Sequence, residues 1–409
     1  MNRVVVIGSG LAGLTAANRL LDAGLPVTLI AKGPGGLQLG QGSIDVLGYT
    51  PARVHRPLTA LPQLDSAHPF AQLGADLVDR SVRWVGEQLG FVGSPETNFH
   101  LPTAVGALRP TALAPRSFVA ADVRDVSSYA VVGVRQLKDF QADLIAGNLN
   151  RTIFEGRQLS AQSAWAAFEA RTGEIDSANV HFANALDDPR EAELFAAKVA
   201  SVAPAGDVVL VPAVIGLRNP DAWRAFEQAL DRPVAEVPTQ PPSVPGLRMF
   251  NALLARARRL GLRHIQGALA TGFTSDAGRI NAIKVESAGH PTRVACSHVV
   301  YAPGGFESGA LGVDSYGRIS ERLFGLRPTQ EDATKLLVAD YWSPQPLFAV
   351  GVRTDDAGRP LVNDHAQYTN LYVAGGILAG AQRSHEKSGD AIAIASAVRA
   401  ADNIIGGVR

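Results

Sequence analysis

Four β-branched residues, Val4-Val5-Val6-Ile7, run directly into Gly8-Ser9-Gly10-Leu11-Ala12-Gly13, and no other stretch limits the possible fold so sharply. An apolar segment with Leu14, Ala17, Leu20 and Leu21 at helical spacing follows, then Gly24 and a second apolar run, Val27-Thr28-Leu29-Ile30. The pattern predicts strand, tight turn, helix, turn and strand over Met1 to Lys32. Each glycine has its own reason. Gly8 turns the chain out of the strand, Gly10 lets backbone N–H groups approach a pyrophosphate, and Gly13 lets the helix pack closely on the sheet. The phosphates are expected at the helix N-terminus, where unpaired N–H groups and the dipole contribute about 0.3–1 kcal/mol per charge. The alternative is a purely structural βα turn. The preceding strand and following helix favour nucleotide or flavin binding, with Gly8, Gly10, Leu11, Ala12 and Gly13 as contacts.

One part of the fingerprint is missing. A carboxylate that holds ribose hydroxyls belongs about 20 residues after the glycines, yet the second strand ends Ile30-Ala31-Lys32. Lys32 is instead placed to meet a phosphate.

The chain has 409 residues, 46% hydrophobic and 19% charged, which suits two or three domains or one large α/β body carrying an insertion. Its 38 basic and 38 acidic residues cancel, so no global field draws it to nucleic acid or an anionic membrane. The lone cysteine, Cys296, cannot form an intramolecular disulfide or hold an iron–sulfur cluster, which needs about four ligands. It reads as a small half-buried residue, and no metal site is expected. Glycines and Asn18-Arg19 interrupt the N-terminal apolar run, which argues against a signal peptide. No uninterrupted apolar run reaches the roughly 18 residues of a membrane span. A cytoplasmic protein without its own transmembrane segment is expected.

Further along, the glycine-rich segment Gly33 to Asp45 is either a loop along a flavin ring, with Gly42 and Ser43 as contacts, or a flexible surface loop. Helices are expected over Asp76–Leu89, Lys138–Asn150, Ala161–Arg171, Pro189–Ser201, Asp221–Leu230 and from Leu247 to Leu260. Arg256, Arg258 and Arg259 on the last of these face solvent or a partner. Tyr129–Val134 and Asp207–Val211 read as strands, and Ala268–Thr274, Ile280–Glu286 and Val294–Tyr301 as a meander. A short helix near Glu331–Leu337 and a strand Phe348–Val352 precede the return at Asn370-Leu371-Tyr372-Val373-Ala374-Gly375-Gly376, and a final helix runs from about Ala391 to Ile404. Its N-terminus, near Gly389, is expected to point at a flavin carbonyl and N1.

The fold class is therefore α/β, a Rossmann-like FAD/NAD(P)-binding flavoprotein fold with a large inserted α/β cap. Residues 1–50, 245–306 and 361–409 are assigned to the flavin-binding domain, 51–244 to the cap, and 307–360 to a second short insertion.

The glycine motif taken with Gly42-Ser43-Ile44-Asp45, Lys138-Asp139-Phe140-Gln141-Ala142, the run Pro238 to Gly246 ending Leu247-Arg248, and Asn370 to Gly376 resembles the B-subunit family of the anaerobic glycerol-3-phosphate dehydrogenases, essentially end to end. The terminal glycine motifs are shared with many flavoproteins. The two middle stretches are more specific. The resemblance implies a flavoprotein subunit with FMN, or FAD as the alternative, in a complex that oxidises sn-glycerol 3-phosphate to dihydroxyacetone phosphate and passes electrons to quinone. It further implies two partners: an FAD-bearing catalytic subunit, and an iron–sulfur subunit that anchors the complex peripherally at the cytoplasmic face of the membrane. The run Arg383-Ser384-His385-Glu386-Lys387-Ser388-Gly389 departs from the glycine-rich run expected of the family before the last helix.

Removing hydride from a secondary alcohol calls for a flavin, a base and cations for phosphate. His385 is the expected base and Arg383 and Arg353 the expected anion ligands, with Gly375, Gly376 and Gly389 on the flavin side. The alternatives are an exposed loop histidine and ordinary ion-paired arginines. Three functions follow: an electron-transferring flavin subunit, a self-sufficient FAD oxidoreductase of the fumarate reductase or succinate dehydrogenase type, or a scaffold that has lost its flavin.

Overall fold

A computed structural model of the chain describes residues 3 to 408. In chain order, β1 (Val4–Ile7), α1 (Leu11–Asp22) and β2 (Val27–Ala31) are followed by α2 (Ala75–Leu89). Next come β3 (Ser128–Val134), α3 (Ala142–Leu149), β4 (Ser160–Ala166), α4 (Pro189–Ala200), β5 (Val208–Pro212), α5 (Pro220–Leu230) and β6 (Val234–Val237). The chain continues through α6 (Val244–Arg259), β7 (Arg263–Gln266), β8 (Ala268–Asp276), β9 (Arg279–Ser287), β10 (His290–Ala295), β11 (His298–Tyr301), β12 (Leu371–Val373) and α7 (Gly389–Val408).

Two compact units result. The first comprises residues 1–36, 45–89 and 252–409, the second 37–44 and 90–251, so one boundary falls inside α6. These limits differ from those drawn on the sequence, which put 51–89 in the cap and set 307–360 apart. The reason is α2: its apolar face, Leu77, Val78, Val82 and Val85, is buried, and the helix packs against α7.

The first unit is built on a five-stranded parallel sheet ordered β7-β2-β1-β11-β12. All four residues of β1 are buried, which explains the unbroken β-branched run of a strand covered on both faces. The chain leaves β1 for β2 on one side and later returns on the other side as β11, so the strand order reverses between β1 and β11. That is the switch point where α/β sheets open a crevice. The meander expected as three strands ends at β10, and the expected third strand divides, its second half joining the parallel sheet as β11. Buried Asn370 stitches the two together, its Nδ2 donating to the carbonyls of Ile280 and Ser297 and its Oδ1 accepting from the Ile280 N–H. Arg256 is not free for a partner: its Nη2 is 2.9 Å from Asp22 and its Nη1 donates to Asn18. Residues 307–360 contain short 3₁₀ turns at Ala333–Leu336 and Pro346–Ala349 rather than the expected helix and strand.

α7 is the one described helix long and apolar enough by composition to cross a membrane, yet most of its residues are buried within the first unit. It packs against α1 and α2 as a core helix.

The second unit has its own parallel sheet, β4-β3-β5-β6. Its α4 and α5 start on side-chain caps, Asp188 and Asn219 accepting from the Arg190 and Asp221 N–H groups. The segment read as a helix over Ala161–Arg171 is instead β4, paired in register with β3 from Ser160–Ser128 to Ala166–Val134. Alanine is the best helix former, but propensity is a weak prior and sheet pairing overrides it.

Candidate flavin site

At the carboxyl ends of β1, β11 and β12 three glycine turns meet. A methyl added at Gly8, whose φ is +103°, would fall on the Ala302 carbonyl oxygen just past β11, and one at Gly13 on the Gly8 carbonyl oxygen. Both glycines are thus demanded by close backbone approach. Gly375, with φ +80°, lies against Ala12, where a Cβ would come within 2.9 Å of the Ala12 methyl, and its N–H is held by Ser396 at 3.0 Å. Gly10 is different: a methyl there meets nothing within 4 Å. The helix it caps has no side-chain cap and no acidic residue in its first turn. Open space beside an uncapped, uncompensated helix start is what an anionic cofactor needs.

Arg383 brings charge to this end of the sheet. Its stem lies against Gly389 and its Nη2 lies over Gly305 and Gly376, 3.2 and 3.4 Å from where their Cβ atoms would be. Glu307 Oε1 is 3.7 Å away. Burial lowers the guanidinium pKa from its ordinary value, and Glu307 and Glu386 oppose that shift. Arg383 opens a single helical turn, Arg383–Glu386, that is clamped from its far end. Glu386 accepts from the Gln382 N–H at 2.9 Å, the Ser388 hydroxyl at 2.8 Å and His68 Nε2 at 3.1 Å. Burial pushes the Glu386 carboxyl up, but these hydrogen bonds outweigh it and leave its pKa below the ordinary value. His68 Nδ1 accepts the Phe70 N–H at 3.1 Å. A neutral His68 therefore carries its proton on Nε2, towards Glu386, with no basic nitrogen to spare.

The expected residues divide accordingly. Gly8, Gly10, Leu11, Ala12, Gly13, Gly375, Gly376, Gly389 and Arg383 belong to this end of the first unit. His385 is exposed, on the same turn as Arg383. Arg353 is not beside Arg383: it pairs with Asp364 at 3.3 Å and lines a separate cavity. Lys32 is exposed at the end of β2. Gly42 and Ser43 lie in the second unit, where Gly42, φ +73°, packs on Pro245 and Gly246 and is required by that contact. The expectation for α7 also needs revision. The Ala391 N–H is already donated to the Asp45 carbonyl, and Asp390 places a carboxylate in the first turn, so this helix end is partly compensated by the protein itself. Glu307 carries no sequence signal, Glu386 shows only as part of the charged run before the last helix, and His68, with no motif around it, reads as structural. His68 is 318 positions from Glu386, and only the fold brings them together.

The residues fit a flavin. The glycine cradle at Gly8 and Gly13, the open flank of Gly10 and the uncapped start of α1 match a pyrophosphate, and Ala31 leaves no carboxylate for a ribose.

Such a strand-end crevice defines a dinucleotide- or flavin-binding oxidoreductase, and the FAD binding domain family model matches residues 3–392. That match supports FAD over FMN. The chain belongs to the FAD binding domain family and, within it, to the B-subunit family of the anaerobic glycerol-3-phosphate dehydrogenases. A probable B-subunit of this dehydrogenase from Halobacterium salinarum is 32% identical over 97% of this chain and 96% of its own length. The corresponding protein of Pectobacterium atrosepticum is 28% identical over 98% of both. Among solved structures, an open-conformation flavocytochrome c3 fumarate reductase matches with a TM-score of 0.46 at 11% identity, covering 99% of this chain and 78% of its own.

Proposed function

We propose that this chain is the flavin subunit of a respiratory glycerol-3-phosphate dehydrogenase, active as part of a complex, that oxidises sn-glycerol 3-phosphate to dihydroxyacetone phosphate and sends electrons towards quinone. Its proposed partners are an FAD-bearing catalytic subunit and an iron–sulfur subunit that holds the assembly at the cytoplasmic face of the membrane. The observation that carries this reading is Arg383, a largely buried cation set over Gly305 and Gly376 beside the glycine crevice. Bound flavin supplies the hydride acceptor. Arg383 pairs with the phosphate of the substrate, and the Glu386 clamp keeps its turn in place. His385, exposed on the same turn, is the proposed base for the hydroxyl proton.

FAD is the proposed flavin. FMN is a second reading favoured by one observation, Ala31 standing where a ribose carboxylate belongs, with Lys32 exposed beside it for a terminal phosphate. Heat release and chromatography of the flavin decide between them. The subunit reading is tested by assaying the chain alone and with co-purified partners, using glycerol 3-phosphate and an artificial acceptor. Turnover only in the complex supports it, and rapid turnover by the isolated chain points to a self-sufficient oxidoreductase. His385→Ala is expected to slow reduction while retaining flavin. An unchanged rate removes His385 as the base.

A further inference from the structure

Arg383 already has a counter-charge of its own. Glu307 follows β11 through the turn Gly304-Gly305-Phe306, and its carboxylate lies over the same two glycines as the guanidinium. Its Oε2 is 2.9 Å from where a Cβ would stand on Gly305, and its Oε1 is 3.2 Å from that position on Gly376. Arg383 Nη2 is 3.2 and 3.4 Å from the same two points. An anion that approaches Arg383 over these glycines meets Glu307 in its place.

The pair is loose and unequal. Nη2 and Oε1 are 3.7 Å apart, beyond hydrogen-bond range. Among the described residues no hydrogen bond reaches either side chain, so this ionic contact is all that holds them together. The Arg383 nitrogens nevertheless stay accessible, unlike Nε and Nη1 of Arg399, which are sealed in the core of the same unit. The Glu307 side chain is 63% exposed and that of Arg383 only 20%. A detached Glu307 returns to water at little cost, whereas a guanidinium this buried is costly to leave without a counter-charge. Both backbones are fixed. Ser308 Oγ and the Ala310 and Leu311 N–H groups donate to the Gly305 carbonyl at 3.0, 3.1 and 3.3 Å, and Glu386 clamps the Arg383 turn. Exchange of partners at Arg383 therefore needs only a rotation of the Glu307 side chain.

We propose that Glu307 is an exchangeable counter-ion of the substrate-anion site: it neutralises Arg383 while the site is empty and swings into solvent when a phosphate monoester pairs with the guanidinium. The inference rests on the reading of Arg383 as the phosphate cation. A phosphate monoester displaces the carboxylate because it brings more charge and offers the guanidinium fork two oxygens at once. The exchange lowers the affinity of every anion at the site by the strength of the Arg383–Glu307 pair, about threefold for a contact so exposed on one side.

The test is a phosphorus NMR titration of the flavin-loaded full-length chain with methyl phosphate, which carries the anion but no oxidisable secondary hydroxyl. Glu307→Gln is expected to tighten binding about threefold at an unchanged unfolding midpoint, since the side chain is largely exposed. Glu307→Asp keeps the charge but shortens its reach by a methylene, and is expected to tighten binding as well. These two variants test the proposal without touching Arg383. Arg383→Gln is expected to weaken binding by about tenfold or more, and adding Glu307→Gln to it is expected to change nothing further. If Arg383→Gln leaves the affinity unchanged, Arg383 is not the phosphate cation, and that reading falls together with the inference. If Arg383→Gln weakens binding, three results overturn the inference alone: no tightening by Glu307→Gln, native affinity in Glu307→Asp, or the same tightening by Glu307→Gln with Arg383 absent.

Discussion

The two parallel sheets of this chain share a β-α-β vocabulary and differ at their strand ends. In the first unit, β1 passes into α1 through Gly8-Ser9-Gly10, and the helix start is left without a side-chain cap. In the second, β3 passes into α3 through a turn without glycine; this helix start also lacks a side-chain cap but carries Asp143 in its first turn, and the turn is closed by its own side chains, Gln141 donating to the Lys138 carbonyl at 2.7 Å and Lys138 to that of Arg135 at 3.3 Å. Beyond β6 the closure is tighter. Arg248 holds Glu236 at 2.6 Å and donates to the carbonyls of Gly216 and Ile215. Asn179 donates to Thr239, Gln240 and Pro242. A parallel sheet is therefore not a cofactor site by topology alone. It becomes one where its ends keep N–H groups and space uncommitted.

The contrast predicts distinct failures. Arg248→Met leaves buried Glu236 without its cation and is expected to destabilise by about 3–5 kcal/mol in chemical denaturation, while flavin per folded molecule stays unchanged. Loss of flavin from folded protein would break the division between the sheets. Gly13→Ala drives a methyl into the Gly8 carbonyl and should cost about 1–3 kcal/mol as overpacking. Here flavin should be lost together with stability.

A smaller effect concerns Glu386. Its folded pKa lies below the ordinary value of 4.5, so the stability it contributes is present above that pH and is lost as pH falls through the folded pKa. Glu386→Gln is expected to flatten the acid limb of an unfolding-versus-pH profile, and an unaltered limb would show that the His68–Glu386 clamp carries no such contribution.

Local pattern reveals β1, α1, β2 and α7, because β-branched runs and helical spacing are written in adjacent residues. It also singles out the two family-specific stretches, whose work is internal to the second unit: Phe140 is fully buried, Asn179 holds the proline run, and Arg248 just beyond it holds Glu236. The alanine-rich β4 looks helical in isolation because its pairing with β3 lies outside the segment. Of the candidate site, the glycines and Arg383 are visible in the sequence. His68 and Glu307 are not, since their positions depend on long-range packing. Arg353 and Arg399 share a cavity that neither local sequence announces.

Cys296 is half-buried, as its sequence context predicts. Burial pushes the Cys296 thiol up to about 11, which leaves it a poor nucleophile.

Gly10 tests the central claim most directly. Its φ is ordinary and a methyl there meets no protein atom within 4 Å, so Gly10→Ala should leave the unfolding free energy of the flavin-free chain within about 0.5 kcal/mol of the original. If the open flank of Gly10 is where the cofactor phosphates lie, flavin affinity of the same variant should fall at least tenfold. Unchanged flavin affinity in a protein of unchanged stability would contradict the account.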